Sequence, residues 1–452
     1  MKIPFARRRL CRLGLAALAL AAAAGCTKVN HYWRELAPGA PEINILLWKG
    51  YFSPDIIAKF ERDYGVRVNV TNFSTNDELY ADLEGRDPAH PGPYDLAMPS
   101  SFTAERLQAE GRLAPFLRDK NDTRYSILKN LDPADNFNRP EQVSQPENLD
   151  RSYNPKSDPN NDYVVPYIWG ATGIGYNAEQ VAHLPMSWAS VFDRDPLRKR
   201  RIALMDDSHY AVGSALIYQI AQKYRDSTLD THEVARRIAA DFAAAGEPEI
   251  RAAGELIKKL GDQVVCINND HIPELLASDV VDLAIAWSGD VAVAMLRGRV
   301  DPPADEPPVI TPNLNIRISL PIEGVIVFRD CFVIPRQRRN QADAEQFINY
   351  LFNPDIAGAV SNYCCYATTV KSASAIVEAR ISNSAAFFIH PYRDKNIFLE
   401  NGRVRETNEI YERVWEDVKR SFPAGVFQYP PAAKRDVAPA SPYPLVPPIT
   451  VH

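Results

Sequence analysis

The sequence predicts an α/β protein of two lobes, each a mainly parallel sheet flanked by helices. Two observations carry that expectation. Strand-like and helix-like segments alternate along the chain, the pattern in which crossover helices cover parallel strands. About 400 residues also lie between a basic, apolar N-terminus and a proline-rich tail, more than one hydrophobic core usually holds.

Residues 43–48 read as a buried strand. Ser53-Pro54 then supplies an N-cap and a first-turn proline for a helix that ends before Gly65. Residues 66–70 alternate like a second strand. Thr75 to Glu78 fits a capping box, residues 94–98 give a third strand, and another helix opens near Ser101. A second set follows, with a strand over 164–176, helices over 212–260 and a strand over 282–287. Right-handed crossovers place the C-terminal ends of parallel strands along one edge, where ligands of open α/β sheets bind. Trp48, Tyr51 and Ser100 fall on that edge.

Lys2, Arg7, Arg8, Arg9 and Arg12 precede an apolar run over 13–24 and then Gly25-Cys26. This is the layout of an export signal, and the run is about half of the roughly 20 residues that a spanning helix needs. Ala23-Ala24-Gly25-Cys26 resembles the lipobox of bacterial lipoproteins, although Ala23 stands where leucine is usual. The resemblance implies lipidation at Cys26, and several acyl chains would then hold the protein on a membrane without a spanning helix. The expected division is a signal over 1–25, a tether over 26–41, a first lobe from 42–163 and 286–340, a second lobe from 164–285 and 341–422, and an extended tail over 423–452. Segments 120–162 and 299–315, rich in Asn, Asp and Pro, read as surface insertions.

Loss of residues 1–25 would move the formal charge from −6 to −11, because five basic side chains and no acids lie there. That balance argues against nucleic acid as a partner. Cys11 and Cys26 belong to the signal, leaving Cys266, Cys331, Cys364 and Cys365, too few for a disulfide framework and without the spacing of a zinc site. The sequence has no Gly-x-Ser-x-Gly elbow, no His-Glu-x-x-His, no phosphate-binding P-loop and no Cys-x-x-Cys. Gly170, Gly173 and Gly175 lie inside a strand pattern, where close packing explains them better than a dinucleotide fingerprint. The expectation is a binding protein without cofactor or metal, not an enzyme.

Aromatic and acidic residues gather at strand ends: Trp48 and Tyr51, Trp287 with Asp290, and Asp330. Singly each fits packing or capping. Together they fit a cation, since a protonated amine gains about 0.5–2 kcal/mol from each aromatic face within roughly 6 Å and carboxylates fix its charge.

Five segments in order carry a further likeness. They are Leu47-Trp48-Lys49-Gly50-Tyr51, Tyr94-Asp95-Leu96-Ala97-Met98-Pro99-Ser100, Pro166-Tyr167-Ile168-Trp169-Gly170-Ala171-Thr172, Ala286-Trp287-Ser288-Gly289-Asp290, and Asn349-Tyr350-Leu351-Phe352-Asn353-Pro354-Asp355. Together they resemble the periplasmic spermidine/putrescine-binding proteins of bacterial ABC transporters. The resemblance implies a two-lobed type II periplasmic-binding fold and a monomer that captures a polyamine and delivers it to a permease. It implies that Trp48 and Tyr51 contact the methylene chain and that Ser100 contributes a hydroxyl. Trp287 and Asp290 would stack on and bind an amine, Asp330 would bind an amine, and Tyr366 would be a late pocket tyrosine. Three positions depart from the pattern: Tyr210 stands near the place of an acid, Gly50 replaces a polar or acidic residue, and Phe102 replaces a ligand-facing group. Asp207 and Glu323 are the candidates to supply the missing charge. Alternatives are a different small amine, longer or singly charged, or another solute on the same fold, including an anion at the helix N-termini after Ser53 and Ser100, or a sensor or interaction lipoprotein that no longer transports.

Overall fold

The first strand, β1 (Glu42–Trp48), runs parallel to both β2 (Arg67–Phe73) and β3 (Leu96–Ala97). These and the following elements come from a computed structural model that describes residues 36, 38–84, 92–117, 158, 161–181, 187–193, 200–296, 299–300, 309–310, 313–382, 397–399 and 405–427. The expected signal, Cys26, most of the tether and of both insertions, and the tail beyond residue 427 lie outside the described residues.

Local chemistry sets the early elements where the sequence places them. The Ser53 hydroxyl accepts the Ile56 N–H, Pro54 opens α1 (Pro54–Tyr64), and Gly65 closes it at φ 70°, a left-handed conformation that favours glycine. Ahead of α2 (Asn76–Glu84), Thr75 Oγ1 accepts the Glu78 N–H at 3.1 Å, and the Glu78 carboxylate accepts the Ser74 and Thr75 N–H groups at 2.8 and 3.3 Å. That is the expected capping box. Ser100 then leads into α3 (Ser101–Ala109), and a two-residue strand, β4 (Leu113–Ala114), follows.

Two long strands join the halves of the sheet. β5 (Val164–Asn177) and β10 (Val325–Pro335) are buried along their whole lengths and run antiparallel. The second half is parallel, built from β6 (Ile202–Leu204), β7 (Val264–Ile267) and β8 (Leu283–Trp287). The full order is β2-β1-β3-β10-β5-β8-β6-β7. Residues 164–171 of β5 pair with β10, whereas 172–176 pair with β8. The strands that run through both halves are therefore β5 and β10, and β8 lies wholly in the second half.

The second half carries α4 (Ser208–Gln222), α5 (Thr231–Ala244), α6 (Glu247–Lys258), α7 (Ile272–Ala277) and α8 (Ser288–Leu296). α8 packs on α7, and β9 (Ile316–Ser319) pairs with the far end of β5. The expected lobe boundaries at 286 and 341 do not follow this packing. β10 is long enough to pass through both halves, so the chain changes side within that strand. α9 (Gln341–Leu351) rests on the first half, where the Tyr350 hydroxyl donates to the Ile56 carbonyl at 2.8 Å and Phe347 meets Phe60 edge-on at 4.9 Å. α10 (Pro354–Cys364) follows, capped by Cys365 at φ 62°. α11 (Arg405–Arg420) packs on α4 and α6 of the second half, with Trp415 Nε1 donating to Asp206 at 2.7 Å, and Cys365, Val377 and Ile381 pack on Ala292 and Val293 of α8.

Cys266, Cys331, Cys364 and Cys365 are all buried thiols, and no disulfide links them. Among the described residues no helix is long and apolar enough to cross a membrane, and no His/Cys/Asp/Glu group is arranged to hold a metal ion.

Candidate functional site

Where the two halves meet, a cleft opens at the strand ends, the kind of place where α/β proteins take small molecules. β1 delivers Trp48 as its last residue, and the turn beyond it delivers Lys49 and Tyr51. β8 delivers Trp287, the first turn of α8 delivers Asp290, and β10 delivers Phe328 and Asp330. Eight of the ten residues expected at the ligand site line this one cleft: Trp48, Tyr51, Ser100, Tyr210, Trp287, Asp290, Asp330 and Tyr366.

Asp330 anchors one end. The Tyr51 hydroxyl donates to one carboxylate oxygen at 2.5 Å and the Ser100 hydroxyl to the other at 2.8 Å. Ser100 is itself fixed, since its N–H donates to Asn76 Oδ1 at 3.1 Å and its hydroxyl lies 3.2 Å from Asn76 Nδ2. The ladder between β10 and β5 slips beside Asp330, where β5 carries an extra residue next to Pro166, which has no N–H to donate. Such a bulge re-aims side chains locally. Burial pushes the Asp330 carboxyl up to about 7, against the pull of the Tyr51 and Ser100 hydroxyls. The Trp48 indole N–H also pulls on it, without meeting hydrogen-bond geometry. Asp290 lines the same cleft, its Oδ1 accepting from the Tyr366 hydroxyl at 3.2 Å. Burial and then the neighbouring carboxylate, Asp330 for Tyr51 and Asp290 for Tyr366, hold both phenols well above their usual range, so both remain donors at neutral pH.

A chain of rings connects the two ends of the cleft. Phe73 lies 4.4 Å from Trp48, and Trp48 lies 5.6 Å from Trp287. Tyr210 lies 5.6 Å from Trp287 and 5.9 Å from Phe328, Phe328 lies 5.7 Å from Tyr366, and Tyr366 lies 5.5 Å from Tyr51. Tilted and edge-on contacts of this kind are favoured between aromatic side chains. The far end is polar: Lys49 pairs with Asp270 at 3.7 Å, and Asp270 accepts the Ser74 hydroxyl at 2.8 Å.

Asp207 and Glu323 do not line the cleft. Asp207 is the N-cap of α4, accepting the His209 and Tyr210 N–H groups. Glu323 binds the Ser187 hydroxyl and the Trp188 N–H. Phe102 turns away as well and stacks on His209 at 4.1 Å. Tyr210 does face the site, 3.5 Å from the Ser100 hydroxyl. The sequence reading missed Lys49, Phe73, Ser74, Asn269, Asp270, Pro273 and Phe328. Phe328 was within reach, because it lies two residues before Asp330 and so on the same strand face. Asn269 and Asp270 follow β7, a short strand with no clear alternation.

Burial also pushes Asp207 up, to about 8, with the Asp77 charge adding to it. The free carboxyl group titrates near 3.9, so between about pH 4 and pH 7–8 the folded chain keeps protons on Asp207 and Asp330 that the unfolded chain has released. Stability must therefore fall as pH rises through that window. The Tm of the ligand-free chain is expected to drop between pH 5 and pH 8.5, and Asp207→Asn, which keeps a capping oxygen, should flatten that drop. A Tm that rises over the same interval would contradict the assignment.

The family profile of bacterial extracellular solute-binding proteins matches residues 55–389. The chain belongs to that family. Among the solute-binding proteins it resembles is the spermidine/putrescine-binding periplasmic protein of Escherichia coli (strain K12), 28% identical over 376 residues, 82% of this chain and 90% of that protein. The putrescine-binding periplasmic protein PotF of the same strain is 28% identical over 395 residues, 85% of this chain and 93% of that protein. The solved TpPotD lipoprotein of Treponema pallidum has the same fold, with a TM-score of 0.59 at 20% identity over 83% of this chain and 99% of that one. Like its relatives, this family member has the two-lobed type II architecture expected from the sequence.

Proposed function

We propose that the protein captures an aliphatic amine of the polyamine class between its two lobes and hands it to an ABC importer. The observation that carries this reading is the ring-walled cleft ending in Asp290 and Asp330. An ammonium at that end meets two carboxylates, and the methylene chain behind it lies on Trp48 and Trp287. Apolar walls suit the methylenes without leaving polar groups unpaired. Trp48, Tyr51, Ser100, Tyr210, Trp287 and Tyr366 are the proposed ligand contacts. The phenols of Tyr51 and Tyr366 orient the acids and stay protonated while doing so.

Release would come from rotation of the lobes about β5 and β10, the strands that pass through both. No chemical step and no cofactor enter this scheme. The relatives are named as periplasmic proteins, which supports an envelope location, and Gly25-Cys26 supports export with a lipid anchor on Cys26. Action as a monomer beside a membrane permease completes the reading.

The test is calorimetric titration of the full chain in detergent, unfolded and refolded first to strip carried-over ligand. The panel is putrescine, cadaverine, spermidine, spermine and N-acetylputrescine. At least one should bind at one per chain, and Trp287→Ala should weaken it at least tenfold. Absence of binding across the panel would remove the amine-capture reading.

A further inference from the structure

The two ends of the cleft differ in charge. At the Tyr51 and Tyr366 end stand Asp330 and Asp290, both held by hydroxyl donors. At the Phe73 end the cleft holds Lys49 and Asp270, an acid already opposed by a base. The pair is loose: at 3.7 Å the ammonium is outside hydrogen-bond distance of the carboxylate. Its members still have capacity for a ligand, since Lys49 brings three donors and Asp270 has lone pairs beyond the one that takes the Ser74 hydroxyl. Gly50, next along the chain, adds no charge, and Tyr210 presents a phenol. In the wall between the ends, the buried Trp287 indole N–H has no acceptor among the described residues, and an ammonium cannot supply one.

A symmetric diamine fits this arrangement poorly. Its first ammonium is well placed between Asp330 and Asp290, but its second would lie beside Lys49 and compete with it for Asp270. Like charges brought together in a partly dry site are penalised. A neutral amide at the same place does the opposite. Its carbonyl accepts from Lys49, its N–H donates to Asp270, and neither ion has to give up the other.

Building on amine capture as the function, we propose that the preferred ligand is a monocationic amine with a neutral amide at its far end, such as a mono-N-acylated diamine, and that Lys49 determines this preference. The ammonium goes to Asp330 and Asp290, the methylenes lie along the Trp48 and Trp287 rings, and the acyl group reaches Lys49 and Asp270. Lys49 thus excludes a second positive charge.

The test compares N-acetylputrescine, putrescine and 4-aminobutanoate by calorimetry on the refolded full chain, unchanged and as Lys49→Gln. In the unchanged chain N-acetylputrescine should bind at least tenfold tighter than putrescine. In Lys49→Gln, Asp270 is released to take a second ammonium, so putrescine should gain at least tenfold and the order should narrow or invert. Lys49→Glu should push the same way and further. A circular-dichroism melt shows that each variant is folded. Putrescine binding tighter than its acetylated form in the unchanged chain, with no response to Lys49→Gln, overturns the assignment while leaving amine capture intact. Tightest binding of 4-aminobutanoate overturns the neutral end in favour of a carboxylate on Lys49. Failure of all three, and of the wider amine panel, removes amine capture and this inference with it.

Discussion

Asp290→Asn is expected to weaken amine binding by two to three orders of magnitude with little change in Tm. Removing one partner of a hydrogen-bonded charge pair in a desolvated site costs about 2–5 kcal/mol, and Asp290 is the less buried of the two acids, on the first turn of α8. The asparagine keeps the shape and still accepts from the Tyr366 hydroxyl, so the loss reports charge and not packing. Asp330→Asn should be as damaging and should also alter the pH dependence. The Asp330 carboxyl titrates near 7 in the free chain, whereas binding an ammonium requires it ionised. Affinity should therefore decline as pH falls below about 7, by up to tenfold per unit, and Asp330→Asn should remove that decline. Calorimetry at pH 8, 7 and 6 on the three proteins checks both effects. Unchanged affinity in Asp290→Asn would mean that the ammonium lies elsewhere.

Gly289→Ala is the second large effect expected. A Cβ at that position would lie 2.4–2.5 Å from three ring carbons of Tyr366. The ring can shift only toward the cleft. Phe328 and Tyr51 stand against it, and on another side a Cβ at Gly170 would already meet its Cδ1 at 2.9 Å. Tyr366 occupies a slot that two glycines keep open. Overpacking of this kind costs about 1–3 kcal/mol, and here it would also pull the Tyr366 hydroxyl away from Asp290. A fall in Tm of several degrees together with at least tenfold weaker binding is expected. A variant with unchanged Tm and affinity would show that the slot is slack.

The elements whose residues carry their own local instructions were legible in the sequence. Ser53-Pro54 and Gly65 delimit α1, Thr75 and Glu78 close the capping box, and the glycines of β5 sit inside a strand, as their context suggested. Trp48, Trp287 and Asp290 were legible for a related reason: the parallel strands of each half bring their C-terminal ends to the cleft, whereas Asp330 stands not at a strand end but in the middle of the antiparallel β10. The lobe boundaries were not legible. β10 is buried throughout, with apolar stretches on both sides of Arg329-Asp330, and nothing in that pattern marks where it leaves one half for the other. Asp207 was misplaced because an acid before a helix serves equally well as cap or ligand, and only the orientation of the α4 N-terminus decides between them. Lys49 went unnoticed because a lysine in the turn after a strand ordinarily faces solvent, and Asp270, which lies 3.7 Å from it at the cleft, comes 221 positions later in the chain.

The most direct measurement is a crystal structure of the chain with its tightest-binding amine. The account predicts an ammonium within hydrogen-bond distance of both Asp330 and Asp290, with the carbon chain lying along Trp48 and Trp287. An amine bound outside the cleft, or an anion inside it with no cation at Asp330, would contradict it.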